Sequence, residues 1–385
     1  MHAASHSAAA VPALHVVLED DSSPLPYGRA LKRVRHILGT AKSVFLSAVH
    51  RTGVLDAVRD SRWRQQRLLI LAYHGVSLED EHEWNPELYM SPSKFESRLA
   101  ALERGNYTVL PLTEALAALD EGRLPPRSVA LTFDDGYFDF YAKVFPALGA
   151  RGFPATVYLT TYYCEYNRPV FGPVCSYMLW KARHTGAVNL GVVIGEDQSF
   201  SLTSAEGRDS AFLAIVTAAE RQKLSAREKD EVASRLAEHI GVDYAELRAK
   251  RILHLMNTEE VTELAAQSID FQLHTHRHRT PGDEASLRRE IRDNRVRIER
   301  LTNQRALHLC YPSGRYDRAL LPCLESEQVE SATTCDPGLV SSRSLRLLLP
   351  RFVDTQLVSE ATFEGWLSGA AALLPGRRRY GQAHG

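Results

Sequence analysis

Three short clusters in this 385-residue chain combine residue types that could carry out hydrolysis. Asp134-Asp135-Gly136 sets two carboxylates side by side, and His274-Thr275-His276-Arg277-His278 holds imidazoles at i and i+4. The third, Tyr311-Pro312-Ser313-Gly314, is a tight polar turn. Adjacent carboxylates repel unless a proton or a cation relieves them, and a divalent metal does so while leaving one of the pair free as a base. Two imidazole nitrogens and one carboxylate oxygen, at roughly 2.0–2.2 Å from zinc, leave a position open for water. Water held in this way is a nucleophile near neutral pH. Each cluster alone has an ordinary explanation. Asp and Gly suit turn dihedrals, a pair of histidines with His276 between them reads as a surface loop, and Tyr-Pro-Ser-Gly is a turn. Their joint occurrence, each after a buried-strand pattern, reverses that balance.

The elements that must position these clusters are legible in the hydrophobic pattern. From residue 68 short apolar runs alternate with segments of helical period, the mark of βα units. A run at 68–73 ends at His74-Gly75, and a helix is expected over 93–104 with Phe95, Leu99 and Leu102 on one face. Strands at 107–110, 128–133 and 155–159 follow, with helices at 113–120 and 138–150 between them; the second of these strands delivers Asp134 and Asp135. The alternation lapses between 160 and 251, a stretch with aromatic residues (Tyr162, Tyr163, Tyr166, Phe171, Tyr177, Trp180) and a polar helix near 226–239. This reads as an insertion, a lid or substrate-facing subdomain. Asn257 with Glu260 then forms a capping-box signature, and a strand at 269–273 delivers His274. Leu287, Ile291, Ile298 and Leu301 stripe a long charged helix. Strands at 306–310 and 329–333 and a segment at 345–353 complete the set. The pattern predicts an α/β fold of the β/α barrel type, in which catalytic groups collect at the carboxyl ends of the strands.

The expected division is a tail and helical extension at 1–66, barrel at 67–160 and 252–370, the insertion at 161–251, and a flexible tail at 371–385. Composition fits a soluble globular protein, with 44% apolar and 24% charged residues. A formal charge of -1 gives no field that would attract nucleic acid. Five scattered cysteines form neither a disulfide framework nor a cysteine zinc site. No apolar stretch reaches the roughly 20 residues of a transmembrane helix, and without a signal-peptide pattern the default expectation is cytoplasmic. Residues 29–55 follow a basic amphipathic pattern, for which packing on the following domain is favoured over peripheral contact with a membrane.

Taken together, Thr132-Phe133-Asp134-Asp135-Gly136, His274-Thr275-x-x-His278 and Tyr311-Pro312-x-Gly314 resemble the polysaccharide deacetylase family, carbohydrate esterase family 4, also called the NodB-homology domain. Tyr73-His74-Gly75-Val76, Met90-Ser91-Pro92 and Pro154-Ala155-Thr156 extend the resemblance to about residues 68–354, and the branch it approaches is that of the poly-N-acetylglucosamine deacetylases. The resemblance implies a distorted, incomplete (β/α) barrel and removal of N-acetyl groups from amino sugars. It implies a divalent metal, zinc first, with Co2+, Ni2+ or Mn2+ as alternatives. It makes Asp134 the general base and Asp135, His274 and His278 the metal ligands. Thr275 would steady the histidine loop, and the turn Tyr311, Pro312 and Gly314 would contact substrate, with a backbone N–H at Tyr311 for the oxyanion. Two departures stand out. The Arg that usually precedes Tyr-Pro is replaced by Leu307-His308-Leu309-Cys310, and the late Leu-x-His motif that supplies the acid is missing. His74 is the candidate for the acid, and Arg351 for orienting Asp134. A catalytically idle glycan-binding protein and an amidase acting on a non-sugar amide remain alternatives. A zinc peptidase is disfavoured, because Thr275 stands where an HExxH helix needs Glu.

Overall fold

Runs such as Leu69–Tyr73 and Ser128–Phe133 are buried at every position, so they read as unbroken apolar stretches rather than as alternating ones. The computed structural model describes residues 53–374. It assembles eight strands into one parallel sheet: β1 Leu69–Tyr73, β2 Thr108–Val109, β3 Ser128–Phe133, β4 Thr156–Leu159, β5 Asp270–Leu273, β6 His308–Cys310, β7 Ser331–Thr333 and β8 Phe352–Val353. Their order is β7-β6-β5-β4-β3-β1-β8, and β2 pairs with the start of β3.

Consecutive side chains take opposite faces of the sheet. Leu69, Leu71, Val129, Leu131, Val157, Leu159, Phe271 and Leu273 join the core formed with the helices. That core includes Phe95, Leu99 and Leu102 of α1 (Pro92–Arg104), together with Val261 and Leu264. The residues between them, Ile70, Ala130, Tyr158 and Cys310, form a second cluster inside the curl with Leu349. Helix α2 (Leu112–Asp120) adds Leu112, Leu116 and Leu119 to this second cluster, which also holds Leu68.

The curl closes through one segment. The Leu349 N–H donates to the Ala332 carbonyl at 2.8 Å, and the Thr334 N–H to the Leu349 carbonyl at 2.9 Å. Only a few residues on, β8 pairs with β1, Leu71 with Phe352 and Ala72 with Val353. The same short stretch therefore touches both ends of the sheet order, and Arg351 lies between the two pairings.

Later elements follow the expected pattern with local differences. Helix α3 (Thr258–Ala266) has the Asn257–Glu260 capping box, and α4 (Glu284–Thr302) buries Leu287, Ile291 and Ile298. The helix expected over 138–150 is a π-helical turn, Phe140–Val144, followed by Phe145–Gly149. The wide turn lies just before Pro146, which has no N–H to give to the preceding turn. Strand β6 starts later than expected because Gln272 Oε1 accepts the N–H groups of Leu307 and His308, both at 2.8 Å, in place of the ladder. The boundary expected at 371 falls inside a short helix, Ala370–Leu373, with Ala371 buried in the core, and the rest of the expected tail, 375–385, lies outside the described residues.

Residues 168–253 gather into a compact unit of their own, with helices Phe171–Lys181, Ala205–Arg221 and Ala226–Ile240 and an antiparallel ribbon, Ala187–Asn189 with Ser199–Ser201. Tyr177, one of the aromatic residues of this stretch, is fully buried. Most of the basic amphipathic stretch, 29–52, lies outside the described residues. Among the described residues no helix is long and apolar enough to cross a membrane.

Phe271 lies in the main core at 0% exposure, whereas Val296 on α4 is 64% exposed. Phe271→Ala is expected to cost about 3–5 kcal/mol in denaturant unfolding, and Val296→Ala to stay within about 0.5 kcal/mol.

Candidate metal centre

The site forms where the inward-facing rows of the sheet run off their strands. At the end of β3 the Asp134 N–H still donates to the Tyr73 carbonyl at 2.9 Å, so Asp134 is the last residue of the ladder. A regular strand would send the next side chain to the opposite face. Instead Asp135 takes a left-handed conformation (φ 69°), as does Gly136 (φ 85°). The turn folds back, with the Gly136 N–H on the Asp134 carbonyl at 2.8 Å. A non-glycine residue in this region is strained, and such strain is held only where the surroundings over-determine it. At Gly136 a Cβ would come within 2.4 Å of Leu159 Cδ1.

His274 leaves β5 in the same way. Its ring Nδ1 lies 2.9 Å from the Cys310 carbonyl, and its N–H donates to Asn294 Oδ1 at 2.9 Å. Asn294 in turn donates to the Leu159 carbonyl and to Thr161 Oγ1. A carbonyl can only accept, so Nδ1 carries the proton when the ring is neutral, and the Nε2 lone pair is free to face a metal. Thr275 (φ 59°) and His278 (φ 55°) are left-handed too, and the Thr275 hydroxyl accepts the Arg279 N–H at 2.8 Å, tying the loop.

Three donors therefore converge. Nε2 of His274 and Nε2 of His278 lie 3.1 and 3.2 Å from the same oxygen, Asp135 Oδ1. That oxygen is buried and, among the described residues, has no hydrogen-bond partner. The spacings sit just under the roughly 3.3–3.6 Å that separates donors around a tetrahedral ion with arms of roughly 2.0–2.2 Å. An orphaned carboxylate oxygen between two imidazole nitrogens fits a divalent cation. Burial opposes ionisation of Asp135, yet His278 and His274 hold it well below the usual carboxylate range. The two imidazoles share that one charge unequally. Burial brings His278 down to about 4; for His274 burial is outweighed by Cys310 and Asp135, which hold it well above its ordinary value.

Asp134 is 1% exposed and faces Arg351, which is fully buried. Nη1 and Nη2 of the arginine donate to its two oxygens at 2.7 and 2.8 Å, a bidentate pair. Arg351 Nε donates to the Thr334 carbonyl at 3.1 Å, and the guanidinium lies 5.5 Å from the Tyr158 ring centre. Burial would raise the Asp134 pKa, but the arginine brings it down to about 2. His74, beyond the end of β1, places Nε2 3.8 Å from Asp134 Oδ2, with 19% of its side chain exposed.

Other expected residues are placed differently. The Tyr311 N–H, expected to be available to an oxyanion, donates to the Thr333 carbonyl at 3.2 Å. Its phenol donates to the Leu347 carbonyl at 2.9 Å. Both donors are engaged because the residue continues the β6–β7 ladder. Gly314 (φ 67°) packs against Cys335, where a Cβ would meet the Cys335 Cβ at 2.9 Å, and Pro312 is buried. His276 is not on a surface loop. It is 2% exposed, its Nδ1 lies 2.9 Å from Thr161 Oγ1, and burial lowers its pKa to about 3.

Two contributors escaped the sequence reading. Cys310 places Sγ 3.5 Å from Asp134 Oδ2 and 3.0 Å from Arg351 Nη2. Asn294 is the polar residue on the apolar stripe of α4, fully buried between Ile291 and Ile298. An asparagine on such a stripe was its available signal.

Residues 121–195 and 232–331 match the family model described as polysaccharide deacetylase. Over 94 residues the chain is 33% identical to the poly-beta-1,6-N-acetyl-D-glucosamine N-deacetylase of Escherichia coli strain K12. That alignment covers 24% of this chain and 14% of the relative. The protein of the same description from Escherichia coli O157:H7 matches equally, so the chain spans only a small part of these relatives. The Streptococcus pyogenes deacetylase PplD, solved in complex with acetate, superposes with a TM-score of 0.51 at 20% identity, covering 79% of this chain and 97% of that one. The likeness carries the fold, a curled parallel sheet of the distorted (β/α) barrel type.

Calorimetric titration with Zn2+ is expected to find one site per chain, lost in His274→Ala. Because His274 is held protonated and must give up its proton to bind, affinity should rise from pH 6 to pH 8 with about one proton released; no release would contradict the placement. Arg351→Met leaves the buried Asp134 charge uncompensated and is expected to destabilise by about 3–5 kcal/mol. Unfolding of the Asp134→Leu/Arg351→Met double variant should recover most of that loss.

Proposed function

We propose that the chain, whose residues 121–195 and 232–331 match the polysaccharide deacetylase model, is a metal-dependent carbohydrate N-deacetylase, a hydrolase that removes acetyl groups from N-acetylglucosamine units of a glycan. The observation that carries this reading is the meeting of His274, His278 and Asp135 on one unpartnered oxygen, with the ionised Asp134 next in sequence and held by Arg351. The substrate class follows the printed activity of the Escherichia coli relatives.

Asp135, His274 and His278 would hold the cation, most simply zinc, given two nitrogen donors and one oxygen; Co2+, Ni2+ and Mn2+ are the alternatives. When bound, it supplies Lewis-acid polarisation of the acetamide carbonyl and acidifies water. Asp134, kept ionised by Arg351, accepts a proton from the water attacking that carbonyl. Arg351 fixes both carboxylate oxygens, so the base cannot rotate away from the nucleophile. The tetrahedral carbon then expels nitrogen, a poor leaving group unless it is protonated. His74, across from Asp134 and partly open to solvent, donates that proton as the C–N bond breaks. Acetate and a free amine result. The Tyr311 amide takes no part while it is bonded to Thr333.

Asp134→Asn keeps the shape of the base but cannot take a proton. It is expected to retain metal and lose acetate release from N-acetylglucosamine oligomers by about 10²–10⁴-fold. His74→Ala should lose a similar factor on the amide yet hydrolyse 4-nitrophenyl acetate normally, since a phenolate leaves unprotonated. Equal loss on both substrates would remove His74 from the acid role.

A further inference from the structure

We propose that Asp139 is a positioning residue that braces His74 in front of Asp134 by gripping the backbone just beyond the histidine. This rests on the reading of His74 as the proton donor. Among the described residues no hydrogen bond holds the His74 imidazole itself; its Nε2 lies 3.8 Å from Asp134 Oδ2, beyond hydrogen-bond reach. Its place is therefore set by the backbone on either side. Upstream, the Tyr73 carbonyl is tied to the Asp134 N–H at 2.9 Å.

Downstream, the chain enters a two-stranded parallel ribbon, Gly75–Val76 with Tyr89–Met90. One edge of this segment is fixed by the ribbon, with the Gly75 N–H on the Leu88 carbonyl at 3.1 Å and the Ser77 N–H on the Met90 carbonyl at 2.9 Å. The Val76 N–H faces the other edge and donates to Asp139 Oδ1 at 3.0 Å. Asp139 is 4% exposed and stands at the head of the π-helical turn Phe140–Val144, on the segment that starts at Asp134-Asp135. One side chain thus links the loop carrying the proposed acid to the segment carrying the proposed base.

The fit at this link is close. A Cβ at Gly75 would lie 3.0 Å from Asp139 Oδ2 and 2.4 Å from Tyr89 Cε1, so only glycine lets the loop reach the carboxyl. The proposed hydrolysis makes no other use of Asp139, although burying a carboxyl is costly without a partner. Burial, with the nearby Glu81 and Asp135 adding to it, pushes the Asp139 carboxyl well above the usual range. The Val76 N–H needs only an acceptor oxygen at that place, which the amide of asparagine also offers.

The test is a double-mutant cycle on His74→Ala and Asp139→Ala, with Asp139→Asn as the conservative variant. A β-1,6-linked N-acetylglucosamine tetramer is the amide probe and 4-nitrophenyl acetate the activated ester. Asp139→Ala is expected to lower kcat on the tetramer at least about tenfold, with KM, zinc content and ester hydrolysis held near wild type. The double variant should be no slower than His74→Ala alone, and Asp139→Asn should recover most of the rate. Losses that multiply in the double variant, that fall equally on ester and amide, or that never appear in Asp139→Ala would overturn the brace. Should the wild type release no acetate, or His74→Ala leave the amide rate unchanged, the acid reading fails by itself. The brace is then read from the His74 imidazole NMR signals, which must shift in Asp139→Ala relative to Asp139→Asn; unmoved signals overturn it.

Discussion

A carboxylate as buried as Asp134 stays ionised only if a cation faces it, and Arg351 is that cation. The pair joins distant parts of the chain. Asp134 ends β3, in the middle of the sheet order, while Arg351 sits on the segment that touches both ends of that order. Closing the curl and keeping Asp134 charged are thus one event. A sheet that failed to close would leave Arg351 without Asp134, and Asp134 without the charge that keeps it ionised at neutral pH.

The same inward row supplies the rest. Residues 70, 72 and 74, 130, 132 and 134, and 272 and 274 alternate with residues that pack outward on the helices. Chemistry appears where each row runs past its last ladder bond. There the left-handed residues Asp135, Thr275 and His278 turn side chains that would otherwise diverge. The second layer is as specific as the first: Asn294 and the Cys310 carbonyl fix the His274 ring from behind, so the nitrogen that faces Asp135 is not left to chance.

Much of this was legible in the sequence, for physical reasons that differ by element. Strands β1 and β3 announce themselves because both of their faces are buried, and α3 through its capping box. The metal-ligand candidates stand at strand ends, and the absence of an arginine before Tyr311-Pro312 leaves Arg351 as a candidate to orient Asp134. Less legible were features fixed by tertiary contacts. The engagement of the Tyr311 N–H depends on β7 lying alongside, and the late start of β6 on a side chain, Gln272, replacing the ladder. The role of Cys310 was hidden because a lone cysteine in an apolar run reads as packing. Asp139 lies inside a helical segment, where an acidic residue is ordinarily solvent-facing.

On this reading Asp135, His274 and His278 would surround one ion, with Asp134 outside its shell. Anomalous diffraction at the zinc edge, on crystals of the zinc-loaded chain, locates that ion directly. A single peak within bonding distance of Asp135, His274 and His278, with Asp134 still paired to Arg351, is the expected result. A peak instead among Asp134, His274 and Cys310, the other cluster of potential ligands, or no peak at the strand ends, would contradict it.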